Sequence, residues 1–264
     1  MRWNGELGPR RTVALVSLPL AEVKDVAHAT NTTVNDVVLS VLGGACRAYL
    51  DKRNELPDRS LVAVVPVSTH ETASGSRSSG VPAAGKDHGA EAGAQPARRQ
   101  TPASSLANAV SLMLSTIGTD VPDPVERLAV VHEAMLGAKR LHGALGPDVL
   151  TDWLAVANPL LLSAAARAYL GLRLARRAPL AANVLISDVP GPPVPLYFGG
   201  ARLLGLYPLG PVYDGVGVNV TVVSCENSLG FGLVSSPEVL DDIDALARGI
   251  GEELDALRLS VTVG

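Results

Sequence analysis

Aromatic residues are scarce in this sequence: Phe, Trp and Tyr together make up 3% of 264 residues. The 47% hydrophobic content is that of a globular chain, so its core must be built from Val, Leu and Ala. Cysteine is scarcer still. Cys46 and Cys225 have no Cys or His neighbour at metal-ligand spacing, which leaves no disulfide framework and no zinc motif, and both read as small buried hydrophobes. Positive charge is also in short supply, with 22 Lys and Arg against 26 Asp and Glu and a net charge of −4. No basic field exists to hold nucleic acid. An uninterrupted membrane span needs about 20 apolar residues, and the nearest stretch, Leu154 to Leu174, is broken by Asn158-Pro159, Arg167 and Arg173. The opening MRWNGELGPRRT lacks the apolar core of a signal peptide, so a cytoplasmic location is expected. No G-x-S-x-G elbow, Walker loop or dinucleotide fingerprint occurs.

What is present alternates between strand and helix patterns. Thr12 to Leu18 predicts a strand, and Leu20 to Ala29 an amphipathic helix. Val34 to Lys52 predicts a second helix, which Thr33 and Asp36 open with the spacing of a capping box. Gly43-Gly44 falls inside this pattern and reads as a close-packing device. Leu61 to Val67 predicts a buried strand. Residues 70 to 105 then change character: from 71 onward the only large aliphatic is Val81, and Ala, Gly, Ser, Pro and charges fill the rest. Such a segment cannot bury enough surface to offset its ordering entropy, so a disordered insert is expected between the parts 1–69 and 106–264.

Leu106 to Ser115 predicts a further strand. Asp123-Pro124-Val-Glu126 opens a helix with Asp as cap and Pro in the first turn, and Leu128, Val131, Met135 and Ala138 form one face. Pro147 to Val156 and Leu160 to Arg177 predict helices. The basic end of the latter, Arg173, Arg176 and Arg177, either complements the helix dipole or rests on an anionic lipid surface. Short apolar runs between Pro and Gly follow from Asn183 to Val234: Asn183 to Ser187, Ala201 to Leu206, Val216 to Val223 after an Asp214-Gly215 turn, and Leu229 to Val234 after Glu226-Asn227-Ser228. Pro237 to Leu257 predicts a closing amphipathic helix. The expected fold class is α/β, a mixed sheet flanked by helices.

The stretch N-V-x-I-S-x-V-P-G-P-x-x-P-L-Y from Asn183, followed by Y-P-x-G-P, D-G and N-x-T, resembles the C-terminal domain of the bacterial wax ester synthase/diacylglycerol acyltransferase family. Thr33-Val-Asn-Asp-Val-Val-Leu, Leu56-Pro-Asp-Arg, Val64-Val-Pro-Val-Ser and Asp123-Pro-Val-Glu-Arg-Leu agree with it and fall in the family's order. The resemblance implies one half of a two-domain chloramphenicol-acetyltransferase-like architecture. It also implies transfer from acyl-CoA, a substrate rather than a bound cofactor, to diacylglycerol or a long-chain alcohol, giving triacylglycerol or wax ester. The partners would be acyl-CoA, a neutral-lipid acceptor, an N-terminal half or a second copy, and a membrane or lipid-droplet surface.

That chemistry needs a base for the alcohol proton and donors for the oxyanion. In the family a HHxxxDG motif supplies the base. His28, His70, His88, His132 and His142 all stand alone, and the one Asp-Gly pair, Asp214-Gly215, follows Pro-Val-Tyr. No catalytic residue is therefore assigned, and the chain alone is expected to be inactive: a separately encoded or truncated half, a non-catalytic lipid-binding module, or a remnant.

Accessory positions carry over residue by residue. Asn35 and Asp36 match the family's Asn-Asp pair, and either cap the helix or support the acyl tunnel. Asp214, Gly215 and Asn219 match its D-G-x-G-x-N block. Asn219 and Thr221 share one strand face by period two and could line the tunnel. Asp188 stands where the family pattern has Asn, replacing an amide donor with a charge. Arg10 and Arg11 match an Arg-Arg pair and are candidates for a coenzyme A phosphate.

Overall fold

A computed structural model describes residues 1–68, 110–145 and 182–263. The predicted insert, the helices over 147–156 and 160–177, and His70 and His88 lie outside them. The chain divides into two compact units. One comprises Met1–Pro66 and Leu112–Gly264 and carries the features below; the other, Val67–Ser111, contains few described residues.

Among the described residues six strands form one mixed sheet: β1 (Thr12–Pro19), β2 (Val62–Ser68), β3 (Val110–Thr116), β4 (Val184–Val189), β7 (Val218–Cys225) and β8 (Ser228–Ser235), in the order β1-β8-β7-β4-β2-β3. Parallel pairing of β4 with β2 and β7 makes the middle of the sheet, and β8 runs antiparallel to both β7 and β1. Two short strands, β5 (Tyr197–Phe198) and β6 (Ala201–Arg202), form a separate hairpin. The helices are α1 (Leu20–Ala29), α2 (Val34–Asp51), α3 (Pro124–Leu145) and α4 (Ile243–Val263).

Period two sorts the sheet into two faces. Ala14, Leu18, Val184, Ile186, Val218, Val220, Val222, Leu229, Phe231 and Leu233 share one face by register and are buried. They supply the aliphatic core that the composition requires, together with buried Val, Leu and Ile of α1, α2 and α4. Trp3, one of the few aromatics, is fully buried in the first turn of chain, with its ring 6.2 Å from that of Tyr49 on α2.

The glycine pair inside α2 has the packing role its position suggested. A Cβ on Gly43 would fall 1.8 Å from the Ile117 carbonyl oxygen, and one on Gly44 would overlap the carboxylate of Glu253 from α4. Through this gap the buried guanidinium of Arg127 on α3 reaches Glu253 and the Val121 carbonyl, tying three helices together. Both cysteines are buried and free, and burial pushes the Cys46 thiol up to about 12.

Three expectations change. The Ala201–Leu206 run is strand only at Ala201–Arg202. Beyond it the chain leaves the hairpin as a strap across the opposite sheet face, where its carbonyls crowd β8: a Cβ on Gly230 would lie 2.0 Å from the Leu206 oxygen and one on Gly232 1.9 Å from that of Pro208. The strand after Asp214-Gly215 begins at Val218 rather than Val216, because Val216 closes a turn onto Tyr213. The closing helix begins at Ile243, not Pro237. Asp242 caps it by accepting from the Ala245 amide at 2.9 Å, while Val239 and Leu240 are buried ahead of it in non-helical chain.

Candidate functional site

The predicted positions separate into three clusters. At the N-terminus of α2, Thr33 and Asp36 form the full capping box: the Asp36 amide donates to Thr33 Oγ1 at 3.2 Å and the Thr33 amide to Asp36 Oδ2 at 3.0 Å. The same Oδ2 lies 2.8 Å from His132 Nδ1 on α3, with side-chain exposures of 2% for Asp36 and 26% for His132. Asp36 Oδ1 is buried with no hydrogen-bond partner among the described residues. Asn35 beside it is half-buried. Sequence reasoning placed His132 among isolated histidines. The helical spacing that buries Leu128, Val131 and Met135 sets His132 at the border of that face, and this was the available signal.

The second cluster surrounds Asp214-Gly215. Asp214 Oδ1 accepts from the Leu7 amide at 2.8 Å, and Gly215 takes φ +92°, the left-handed region where a side chain would be strained. Asn4 Nδ2 donates to the Gly215 and Ala182 carbonyls at 2.7 Å each, and Asn183 Nδ2 to Asn4 Oδ1 at 2.8 Å. The Asp-Gly pair thus fastens the opening segment of the chain to the starts of β4 and β7.

Third, Asn219 and Thr221 lie on the strap face of β7, as the period predicted. Thr221 Oγ1 donates to Asn219 Oδ1 at 2.8 Å, and Asn219 Nδ2 to the Pro211 carbonyl at 3.1 Å. Asn219 is buried under the strap, and a Cβ on Gly210 would fall against its amide. Thr221 is half-buried.

Asp188 joins none of these. Its register partner on β7 is the buried Val222, which puts it on the face opposite Asn219 and Thr221, near the carboxyl end of β4. Desolvation pushes its carboxyl up to about 6. Arg10 and Arg11 are exposed; Arg11 Nη1 donates to the Gly8 and Arg10 carbonyls at 2.6 and 2.9 Å. His28 is exposed. Among the described residues no group of three His, Cys, Asp or Glu could hold a metal ion, and no helix is long and apolar enough to cross a membrane.

Comparison with known proteins agrees along the chain. Residues 106–258 match the WS/DGAT C-terminal domain, and residues 2–38 match the wax ester synthase/diacylglycerol acyltransferase catalytic domain. The stretch around Asn4, Arg10 and Arg11 and the Asn35-Asp36 pair therefore fall within the catalytic-domain match. Two Mycobacterium tuberculosis (strain H37Rv) proteins named for diacylglycerol O-acyltransferase activity are similar. Rv1760 is 32% identical over 97% of this chain and 45% of its own length, and Rv3740c 34% identical over 98% and 50%. The chain thus spans about half the length of the curated relatives it matches. The solved wax ester synthase/diacylglycerol acyltransferase from Marinobacter aquaeolei VT8 is 28% identical with a TM-score of 0.72, over 99% of this chain and 52% of that one. An epimerization domain of tyrocidine synthetase B, 11% identical over 96% of this chain and 49% of that one, shares the fold with a TM-score of 0.50. The shared α/β fold, the ordered motifs and the match over 106–258 make this chain a member of the wax ester synthase/diacylglycerol acyltransferase family.

Proposed function

We propose that this chain forms the C-terminal half of an acyl-CoA-dependent O-acyltransferase whose acceptor is diacylglycerol or a long-chain alcohol, with a HHxxxDG-bearing half supplying the base. The observation that carries this reading is the match of residues 106–258 to the family's C-terminal domain, beside a match of only residues 2–38 to its catalytic domain. In the reaction the acceptor oxygen attacks the thioester carbonyl as its proton passes to the base, and coenzyme A leaves as the thiol. None of the 264 residues forms the HHxxxDG motif. The part we assign to this chain is to shape the acyl and acceptor site. Asp36 caps the start of α2 with Asn35 half-buried beside it, Asn219, supported by Thr221, holds the strap on β7, and Arg10 is the exposed candidate for a coenzyme A phosphate.

A second reading, a lipid-binding module without turnover, is favoured by the exposure of Phe198 and Leu204. Acyl transfer from labelled palmitoyl-CoA to diacylglycerol and hexadecanol separates the two. Product is expected when the chain is co-expressed with a family catalytic half, and none from the chain alone. Turnover by the chain alone would overturn the division of labour, and His132, already oriented by a carboxylate, would be the first histidine to replace. Bound acyl chains without turnover in either preparation would favour the second reading.

A further inference from the structure

A buried carboxylate and a partly exposed imidazole meet at the mouth of α2, and helix capping uses only part of what they offer. Asp36 is 1% exposed, whereas the His132 side chain keeps 26% of its surface open. Oδ2 of Asp36 accepts from the Thr33 amide at 3.0 Å and lies 2.8 Å from His132 Nδ1. A carboxylate accepts and does not donate, so it selects the tautomer with the proton on Nδ1. The lone pair of the neutral ring then sits on Nε2, which has no partner among the described residues.

The same turn of helix offers donors. The capping box consumes the amides of Thr33 and Asp36, which leaves those of Val34 and Asn35 without an acceptor among the described residues. Both stand at the positive end of an 18-residue helix. Asp36 Oδ1 is buried with no partner among the described residues, an acceptor that capping does not explain. The place in the fold also fits a ligand. Arg127 and Ile117 both lie against Gly43, and Ile117 bonds Leu61 just ahead of β2. From there α3 runs back along α2 to bring His132 to Asp36. The pair is thereby displaced from the start of β2 toward the carboxyl end of its parallel neighbour β4, the end at which open α/β sheets place their ligands.

An imidazole whose inner nitrogen is held by a buried carboxylate and whose outer nitrogen is open has the arrangement of a general base. From it we infer that His132 and Asp36 form a second base site, which hydrolyses acyl-CoA to free fatty acid and coenzyme A. No serine, threonine or cysteine side chain bonds the imidazole among the described residues, so the nucleophile is water. His132 Nε2 takes a proton from water as the water oxygen attacks the thioester carbonyl, and the Val34 and Asn35 amides take up the oxyanion. Collapse of the oxyanion breaks the C–S bond, and the proton passes from His132 to the departing sulfur, giving carboxylic acid and thiol. Asp36 holds the ring throughout and keeps no proton. The product is a free acid and not an ester, so this activity is separate from acyl transfer and needs no HHxxxDG half. The choice of acyl-CoA as substrate rests on the reading of this chain as part of an acyl-CoA-dependent enzyme.

Release of thiol and free acid from butyryl-CoA and palmitoyl-CoA by the purified chain alone provides the test. Wild type is compared with His132→Asn, whose amide nitrogen still donates to Asp36 but which has nothing in place of Nε2. Wild type is expected to release thiol, and His132→Asn about a hundredfold less, with a Tm within a few degrees of wild type. Equal release by the two, or release by wild type no faster than in buffer, would overturn the assignment. Should His132→Asn melt early, His132→Ala with added imidazole decides: restored release supports the base, and none overturns it. Palmitoyl transfer to hexadecanol by the chain co-expressed with a family catalytic half is measured in parallel. Transfer there without hydrolysis by the chain alone would overturn this second site and leave the split-enzyme reading standing. Hydrolysis that His132→Asn abolishes, without transfer, would support the site and overturn that reading. Absence of both would overturn both.

Discussion

The carboxyl of Asp188 sits near the carboxyl end of a buried strand, where desolvation raises it from the ordinary 3.8 to about 6. The sign follows from linkage: the folded state binds this proton more tightly than the unfolded state. Its contribution to stability is therefore complete below about pH 4 and is lost as pH rises toward and through 6. Asp188→Asn, which restores the residue of the family pattern, should be more stable than wild type above pH 6, by on the order of 2–3 kcal/mol. Below pH 4 the two should converge. Urea unfolding from pH 4 to 8 measures this, and parallel curves at every pH would refute it. At the mouth of α2, Asp36→Ala removes a cap and leaves His132 without its carboxylate. A loss of about 1–3 kcal/mol is expected by thermal denaturation. His132→Gln should cost less, because the capping box survives it.

Capping and breaking signals made the elements legible to different degrees. The capping box at Thr33-Asp36, the Asp123-Pro124 start and the two-residue turn at Glu226-Asn227 are local, and each element they delimit lies where the sequence indicated. Asp123 Oδ1 accepts from the Val125 and Glu126 amides, and β7 returns directly into β8. The start of α4 was misplaced because Pro237 suggests a first turn, whereas Asp242 provides the capping oxygen. Asp242→Ala should cost about 1 kcal/mol; an unchanged Tm would move the cap back upstream. The strap was illegible for a different reason. Its apolar residues match a strand, but its position depends on glycines that lie more than 20 residues later on β8. Gly232→Ala should push the Pro208 carbonyl off the sheet, at a cost of about 1–3 kcal/mol. Faster tryptic cleavage at Arg202 would report the released strap. Of the candidate site, the polar residues were readable, since Asn219 and Thr221 do share a face. That Asp188 lies on the other face was latent in the alternation, but only once the register of β4 with β7 was known.

At the scale of the molecule, the buried Arg127–Glu253 pair joins α3 to α4 across the gap left by Gly43-Gly44 on α2. Glu253→Gln leaves a guanidinium uncompensated in the interior, and a loss of about 3–5 kcal/mol is expected by chemical denaturation. A smaller effect would mean that the carbonyls of Val121 and Pro122 suffice to hold it. The exposed hairpin has a consequence at the same scale. Without a covering partner the chain should self-associate as its concentration rises, and Phe198→Ser should shift sedimentation toward the monomer.

The pairing of β1 with β8 also dictates a timetable. Among the described residues β1 is an edge strand paired with β8 alone, and Pro19 and Ser228 face each other across more than 200 residues of chain. A ribosome adding about 5–20 residues per second needs roughly 10–40 s to cover that distance. Throughout that interval β1 has left the exit tunnel with Ala14, Leu18 and the backbone donors and acceptors that β8 will pair still unclaimed. Of the six strands of this sheet, the first in sequence is among the last to be secured. Nascent-chain chaperones should therefore meet this protein chiefly at Thr12–Pro19.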